Sequence, residues 1–174
     1  MFWIKLVANF IKILREGQTP AQVAGGFALG AILGLSPMLT LQGLVVWLVI
    51  LVLDVNLSAA TLSILVFSLI AYLFDPLFHR LGYLLLVDTG GLKGLWTTLY
   101  NAPIAPLTRF NNTLVMGSFV SALILFAPIY VGMKRFVVAY RTTVGARVEK
   151  MKVYQIISRS WVVQTYRRIR KMGV

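Results

Sequence analysis

Apolar residues dominate four stretches of the chain, and polar or proline-bearing breaks separate them. Gln18-Thr19-Pro20-Ala21-Gln22 has the form of a helix start. Thr19 is placed to cap, Pro20 suits the first helical position, and Gln22 is placed to close a capping box. The helix predicted from it runs to Leu35. Sixteen residues rise only about 24 Å, short of a hydrocarbon core of about 30 Å. Ser36-Pro37 ends it and is expected to start the next piece, with Ser36 as its cap, which runs to Leu53. Asp54-Val55-Asn56 is a polar turn, and Asn56 or Ser58 is expected to cap a third helix from Leu57 to Phe74. Asp75-Pro76 is read as a helix breaker, and 76–87 as an apolar piece too short to span alone.

After a Gly-rich loop at 88–94, residues 95–107 carry Trp96, Tyr100, Pro103 and Pro106. They read as interfacial aromatic anchoring with irregular backbone. Asn112 or Thr113 is expected to cap the most conventional span, 113–133, which Lys134-Arg135 closes. At the other end, Lys5, Asn9, Lys12 and Glu16 fall on one helical stripe of residues 1–17, with Phe2, Trp3, Leu6, Phe10 and Ile13 over much of the rest. That is the pattern of an amphipathic helix lying in a membrane interface.

The fold class expected is therefore all-α: an integral membrane helical bundle of short, proline-broken, partly re-entrant helices. Its parts are an interfacial helix (1–17), a membrane domain (18–133) and a basic helical tail (134–174). Four crossings are counted, 20–36, 37–53, 57–74 and 113–133. The first two are short enough to form a re-entrant hairpin instead, leaving two full crossings. Irregular backbone at membrane depth is tolerated only where protein or water satisfies it.

Composition agrees. The 174 residues are 59% hydrophobic and 13% charged, against about a quarter charged in a soluble domain. With no cysteine, one histidine and five acids, the chain offers no thiol chemistry and no catalytic or metal-ligand constellation, so an enzyme and a bound cofactor are not expected. The net charge of +12 is uneven: residues 134–174 hold eleven Lys/Arg and one acid. Arg135, Arg141, Arg147, Lys150, Lys152 and Arg159, interleaved with apolar residues, fit anionic lipid headgroups better than nucleic acid. Cationic ends place both termini on the cytoplasmic face of a multi-pass protein.

Two features within the apolar body stand out. Gly26, Gly30 and Gly34 stack at spacing four, a small-residue ladder that lets another backbone approach closely. Internal packing against 37–53 or 57–74 is its commoner use; a seat for a partner's membrane helix is the sharper expectation. Ser36, Pro37, Thr40, Gln42, Asp54, Asn56, Asp75 and Pro76 sit at or near the breaks, as helix caps or as polar lining. If Asp75 faces inward, His79 or Arg80 is its expected partner. His79 alone is more often a hydrogen-bonded structural residue than a ligand.

Gln18-Thr19-Pro20, Ala24 to Gly34 (AGGFALGAILG), Leu35-Ser36-Pro37, Leu53-Asp54-Val55-Asn56, Asp75-Pro76-Leu77 and Leu81-Gly82 together resemble a family of small bacterial membrane proteins, the domain of unknown function numbered 2062. The family pattern has Asn-Pro where this chain has Asp75-Pro76. Residues 95–103 and 107–114 further resemble one subgroup, whose members tend to be encoded beside a large AsmA-like envelope protein. The resemblance implies a non-enzymatic inner-membrane subunit that docks such a protein and helps phospholipid enter its groove, for transport from inner to outer membrane. A small homo-oligomeric transporter or channel, with Thr40, Gln42, Asp54 or Asp75 lining a polar path, is the alternative. A scaffold with no lipid role is a third reading.

Overall fold

The computed structural model describes residues 18–144. The helix expected over 1–17 and the tail residues Arg147, Lys150, Lys152 and Arg159 lie outside them. Among the described residues every regular element is helical: α1 (Pro20–Leu35), α2 (Leu41–Val52), α3 (Leu57–Tyr83), α4 (Lys93–Tyr100) and α5 (Thr113–Ala139). A π-helical turn, Leu84–Asp88, extends α3. Short 3-10 turns at Gly90–Leu92 and Ala105–Thr108 flank α4. Two compact units divide at Val137 and Val138. The described part of the second holds the end of α5 and a π-helical turn, Tyr140–Val144, where the Thr143 hydroxyl donates to the Ala139 carbonyl at 2.8 Å.

The start of α1 follows its local chemistry. The Thr19 hydroxyl accepts from the Gln22 amide at 3.2 Å, and the Thr19 amide donates to Gln22 Oε1 at 2.8 Å. This is the reciprocal capping box that the sequence predicts. At the other end Ser36 turns back, its hydroxyl donating to the Ile32 carbonyl at 2.6 Å. Ser36 therefore closes α1 and does not cap α2, contrary to expectation. Residues 36–40 form the turn, and Thr40 caps α2, accepting from the Gly43 amide at 3.2 Å. The physical reason is a tight reversal. Gly43 lies against the Met38 carbonyl so closely that a β-carbon would strike it, so α2 starts only once the chain has doubled back.

Helix α3 starts at an Asn56 cap, which accepts from the Ala59 amide at 2.7 Å. Its far end differs from the sequence reading. α3 runs unbroken through Asp75-Pro76 to Tyr83, with Pro76 inside it. One proline removes a single backbone bond. Beyond it, Phe78 and Gly82 are buried against α5, with Gly117 beside Phe78 and Thr113 beside Gly82. That packing holds the helix together where propensity alone would end it. α5 likewise continues past Lys134-Arg135 to Ala139, with Pro128 inside it.

Glycine positions fix the helix directions. Gly26 meets Asn56, Gly30 meets Ala60, and Gly34 meets Ile64, Phe67 and Ser68. α1 and the first half of α3 thus run parallel, and α2 returns alongside α1. In contrast, α5 is antiparallel to α3, because Thr113 lies by Gly82 and Gly117 by Phe78. α1 is the most enclosed helix, with Val23, Ala24, Ala28 and Leu33 fully buried. Its core partners include Val46 and Ile50 of α2, Ala60 and Phe78 of α3 and Ala122 of α5.

The outer faces are apolar. Leu51, Leu69, Leu73 and Ile124 are each more than 60% exposed. Leu57–Asp88 and Thr113–Thr143 are long and apolar enough to cross a membrane, and only 17% and 22% of their apolar windows are buried. A core helix of a soluble domain would be mostly buried.

Candidate functional site

The site begins at the base of the α1–α2 hairpin. Gln22 holds three things at once: the Thr19 cap, Asp54 through Nε2 to Oδ2 at 2.6 Å, and the Asn56 amide, which donates to the Gln22 carbonyl at 3.1 Å. Asp54 and Asn56 thus tie the entry of α1 to the entry of α3. A cavity of about 510 Å³ opens here, lined by Gln18, Ile50 to Val55, Asn56 and Ser58 among others. The capping role of Asn56 was legible from the sequence; the Gln22–Asp54 bond, 32 residues apart, had no local signal.

From this base α1 climbs along the glycine seam. A β-carbon on Gly26 or Gly30 would strike the backbone of Asn56 or Ala60, and one on Gly34 would lie 2.8 Å from the Ile64 carbonyl oxygen. Ser63 adds a hydrogen bond across the seam, its hydroxyl donating to the Phe27 carbonyl at 2.6 Å. The expected partner-helix role of Gly26, Gly30 and Gly34 is therefore corrected. Their close-approach surface is filled by this chain's own α3, the internal packing weighed against it.

The hairpin turns well before α3 ends. Ser36, Pro37 and Met38 share a cavity of about 290 Å³ with Ser68, Ala71 and Asp75 of α3 and Leu114 and Ser118 of α5. From Asn56 to this level is about half of α3. The tip thus gathers Ser36, Pro37 and Asp75, three of the residues picked from the sequence. Their roles differ from those expected. Asp75 and Pro76 do not break a helix, and Asp75 lines the cavity half-buried. Neither His79 nor Arg80 pairs with it. His79 Nδ1 instead meets the Thr113 hydroxyl at 2.7 Å, a structural hydrogen bond. Asp75 has no hydrogen-bond or ion-pair partner among the described residues.

Gln42 lies one turn past the tip and faces a second cavity, of about 350 Å³, with Trp96, Phe110, Met116 and Phe119 among its walls. Its Oε1 is buried without a hydrogen-bond partner. Thr40, by contrast, is spent in the turn, donating to the Pro37 carbonyl at 2.9 Å while capping α2. The roof of the second cavity is the 93–112 connection. Trp96 Nε1 donates to the Leu85 carbonyl at 3.0 Å, and its ring lies 5.9 Å from that of Phe110. Arg109 takes a left-handed conformation, φ 55°. Asn112 then caps α5, Oδ1 accepting from the Leu114 and Val115 amides at 2.9 and 3.2 Å.

The notch of Gly82 against Thr113 and Gly117 against Phe78, which locks α3 to α5, was not singled out from the sequence. Each glycine is isolated in its own helix, and only their pairing in space marks them. Of the tail cations, Arg135 is exposed and Arg141 half-buried. Among the described residues no three His, Asp or Glu side chains come together.

Comparison with known proteins adds a family and one relative. Residues 5–144 match the family described as "Uncharacterized protein conserved in bacteria (DUF2062)". A protein of Treponema pallidum (strain Nichols), described only as "Uncharacterized protein", is 25% identical over 154 residues, which cover 88% of this chain and 94% of that protein. No solved structure matches.

Proposed function

The chain belongs to the DUF2062 family of bacterial proteins, and from that premise we propose that it is a multi-pass inner-membrane subunit that passes phospholipid to a large AsmA-like envelope protein. The observation that carries the reading is the half-depth hairpin. α3 and α5 supply two membrane-length helices, while α1 and α2 climb only part of the way and turn beside Asp75. A hairpin that ends inside a bilayer leaves the lipid beside its tip without a full-length neighbour. A half-buried carboxylate at that level adds a polar perturbation, and ionisable groups at such depth are costly and mostly functional. Both effects loosen lipid packing at one place.

In this reading the base of the hairpin, with Gln22, Asp54 and Asn56, lies at the cytoplasmic headgroup level. α5 returns toward the same face, bringing Lys134 and Arg135 there, in keeping with the cationic bias of that face. The 84–112 connection lies on the opposite face, where an envelope-spanning partner would stand. Since α3 fills the glycine ladder, that partner docks elsewhere.

The test is to tag the protein at its native level, extract it in mild detergent and identify what co-purifies. A large envelope protein carrying phospholipid is the expected result. A homo-oligomer with no such partner would overturn the subunit reading. It would favour a small transporter or channel, in which Asp75 lines a polar path. Ion or solute flux through vesicles of the protein alone would then be the measurement.

A further inference from the structure

We propose that the cavity at the base of the hairpin holds the headgroup of a phospholipid bearing a primary ammonium, as phosphatidylethanolamine does. The phosphate sits at the start of α3 and the ammonium on Asp54. The inference deepens the lipid-handling reading and rests on one part of it, that the base lies at headgroup level. It needs no partner protein.

The donors come first. α3 begins on the cavity wall, at Asn56, Leu57 and Ser58. The first amides of a helix have no partner within it. Here the Ala59 amide is taken by the Asn56 cap and the Ala60 amide by the Asn56 carbonyl, while those of Leu57 and Ser58 have no partner among the described residues. A second and independent donor stands beside them. Asn56 is 8% exposed, and the cap fixes its amide: Oδ1 must face the Ala59 amide, so Nδ2 faces away from it. Nδ2 has no partner among the described residues, and it is not sealed within the protein, so it opens on the cavity that Asn56 lines. A buried amide left unpaired is costly. Together these N–H groups, with the exposed Ser58 hydroxyl, suit an anionic oxygen at a helix start.

Asp54 decides which anion. It lines the same cavity, and Gln22 holds its Oδ2 at 2.6 Å, which leaves Oδ1 free. A plain anion would meet that carboxylate as a like charge. A zwitterion would not, if its cation can donate to Asp54 while its phosphate meets the donors of α3. An ethanolamine phosphate does this over one short link, and the bond to Asp54 is charge-assisted. A choline headgroup has no N–H to give, and a glycerol headgroup has no cation. About 510 Å³ lies within the range of small-molecule sites, roughly 300–1,000 Å³. The same headgroup chemistry occurs in free phosphoethanolamine, but the surroundings favour the lipid. Leu51 stands on the cavity wall, and with Leu48 and Leu44 it forms an exposed apolar stripe along α2, each more than half exposed. Acyl chains leaving the cavity would lie along that stripe, toward the tip of the hairpin.

The full chain would be purified in mild detergent with an equimolar mixture of phosphatidylethanolamine, phosphatidylcholine and phosphatidylglycerol, and the retained lipid read by native mass spectrometry. Preferential retention of phosphatidylethanolamine is expected. Asp54→Asn keeps an acceptor for Gln22 and should reduce the preference over phosphatidylglycerol roughly tenfold or more, the worth of a charged hydrogen bond. Asn56→Asp keeps the cap but puts an oxygen where Nδ2 was, and should weaken retention of every phospholipid. Ser58→Glu, exposed and favourable in the first turn of a helix, should do the same without threatening the fold. Equal retention of the three lipids, unchanged in all three variants, would mean that water fills the cavity and would overturn the proposal. Displacement of the lipid by an equal concentration of free phosphoethanolamine would overturn the lipid as its source. Selective retention in a chain that recruits no envelope protein would support the seat and sink the docking reading; a recruited partner without lipid preference would do the reverse.

Discussion

At the residue scale, the glycines divide into those that touch backbone and those that touch nothing. Gly30 abuts Ala60, whereas Gly132, on α5, has open space where a side chain would go. Both sit in helices, where alanine is favoured over glycine by up to about 1 kcal/mol. Gly30→Ala should nevertheless destabilise by about 1–3 kcal/mol, the usual cost of overpacking, while Gly132→Ala should be neutral or stabilising. Thermal melting in detergent separates them, and equal effects would mean that the seam is loose. Asn56, 8% exposed, caps α3 and closes the base. Asn56→Ala should cost about 1 kcal/mol or more, read in the same melts. The glycine ladder was visible in the sequence as a repeat, but which helix it meets was not. A spacing of four says that something approaches, and only the parallel run of α1 and α3 says what.

At the element scale, legibility followed the caps. α1 begins and ends as Thr19-Pro20-Gln22 and Ser36-Pro37 suggest, because those side chains act within three or four residues of themselves. α2 was placed too early because the reversal around Met38 and Gly43 consumes the residues after Pro37. The misreading of Asp75-Pro76 is more instructive. Proline is a strong local signal, yet the packing of Phe78 and Gly82 on α5, which spans some 35 residues of chain, overrides it. Pro76 is exposed, so Pro76→Ala should restore a backbone bond without disturbing a neighbour. It is expected to stabilise by about 1–3 kcal/mol and to leave the fold unchanged. A variant that rearranges or loses stability would mean that the proline is structural after all.

At the scale of the whole molecule, two long apolar helices with exposed flanks stand beside a hairpin that reaches about half of α3. The lipid-handling reading depends on where that hairpin ends. As the sequence holds no cysteine, single-cysteine variants report cleanly on this. Leu39, at the tip and 90% exposed, and Gly91, in the connection with open space around it, form the decisive pair. The measurement is labelling of Leu39→Cys and Gly91→Cys by a membrane-impermeant maleimide in vesicles of known orientation. The half-depth hairpin predicts that Gly91→Cys reacts from one face, and that Leu39→Cys reacts from neither until detergent is added. Labelling of Leu39→Cys from the same face as Gly91→Cys would mean that the hairpin crosses fully, and would contradict the account.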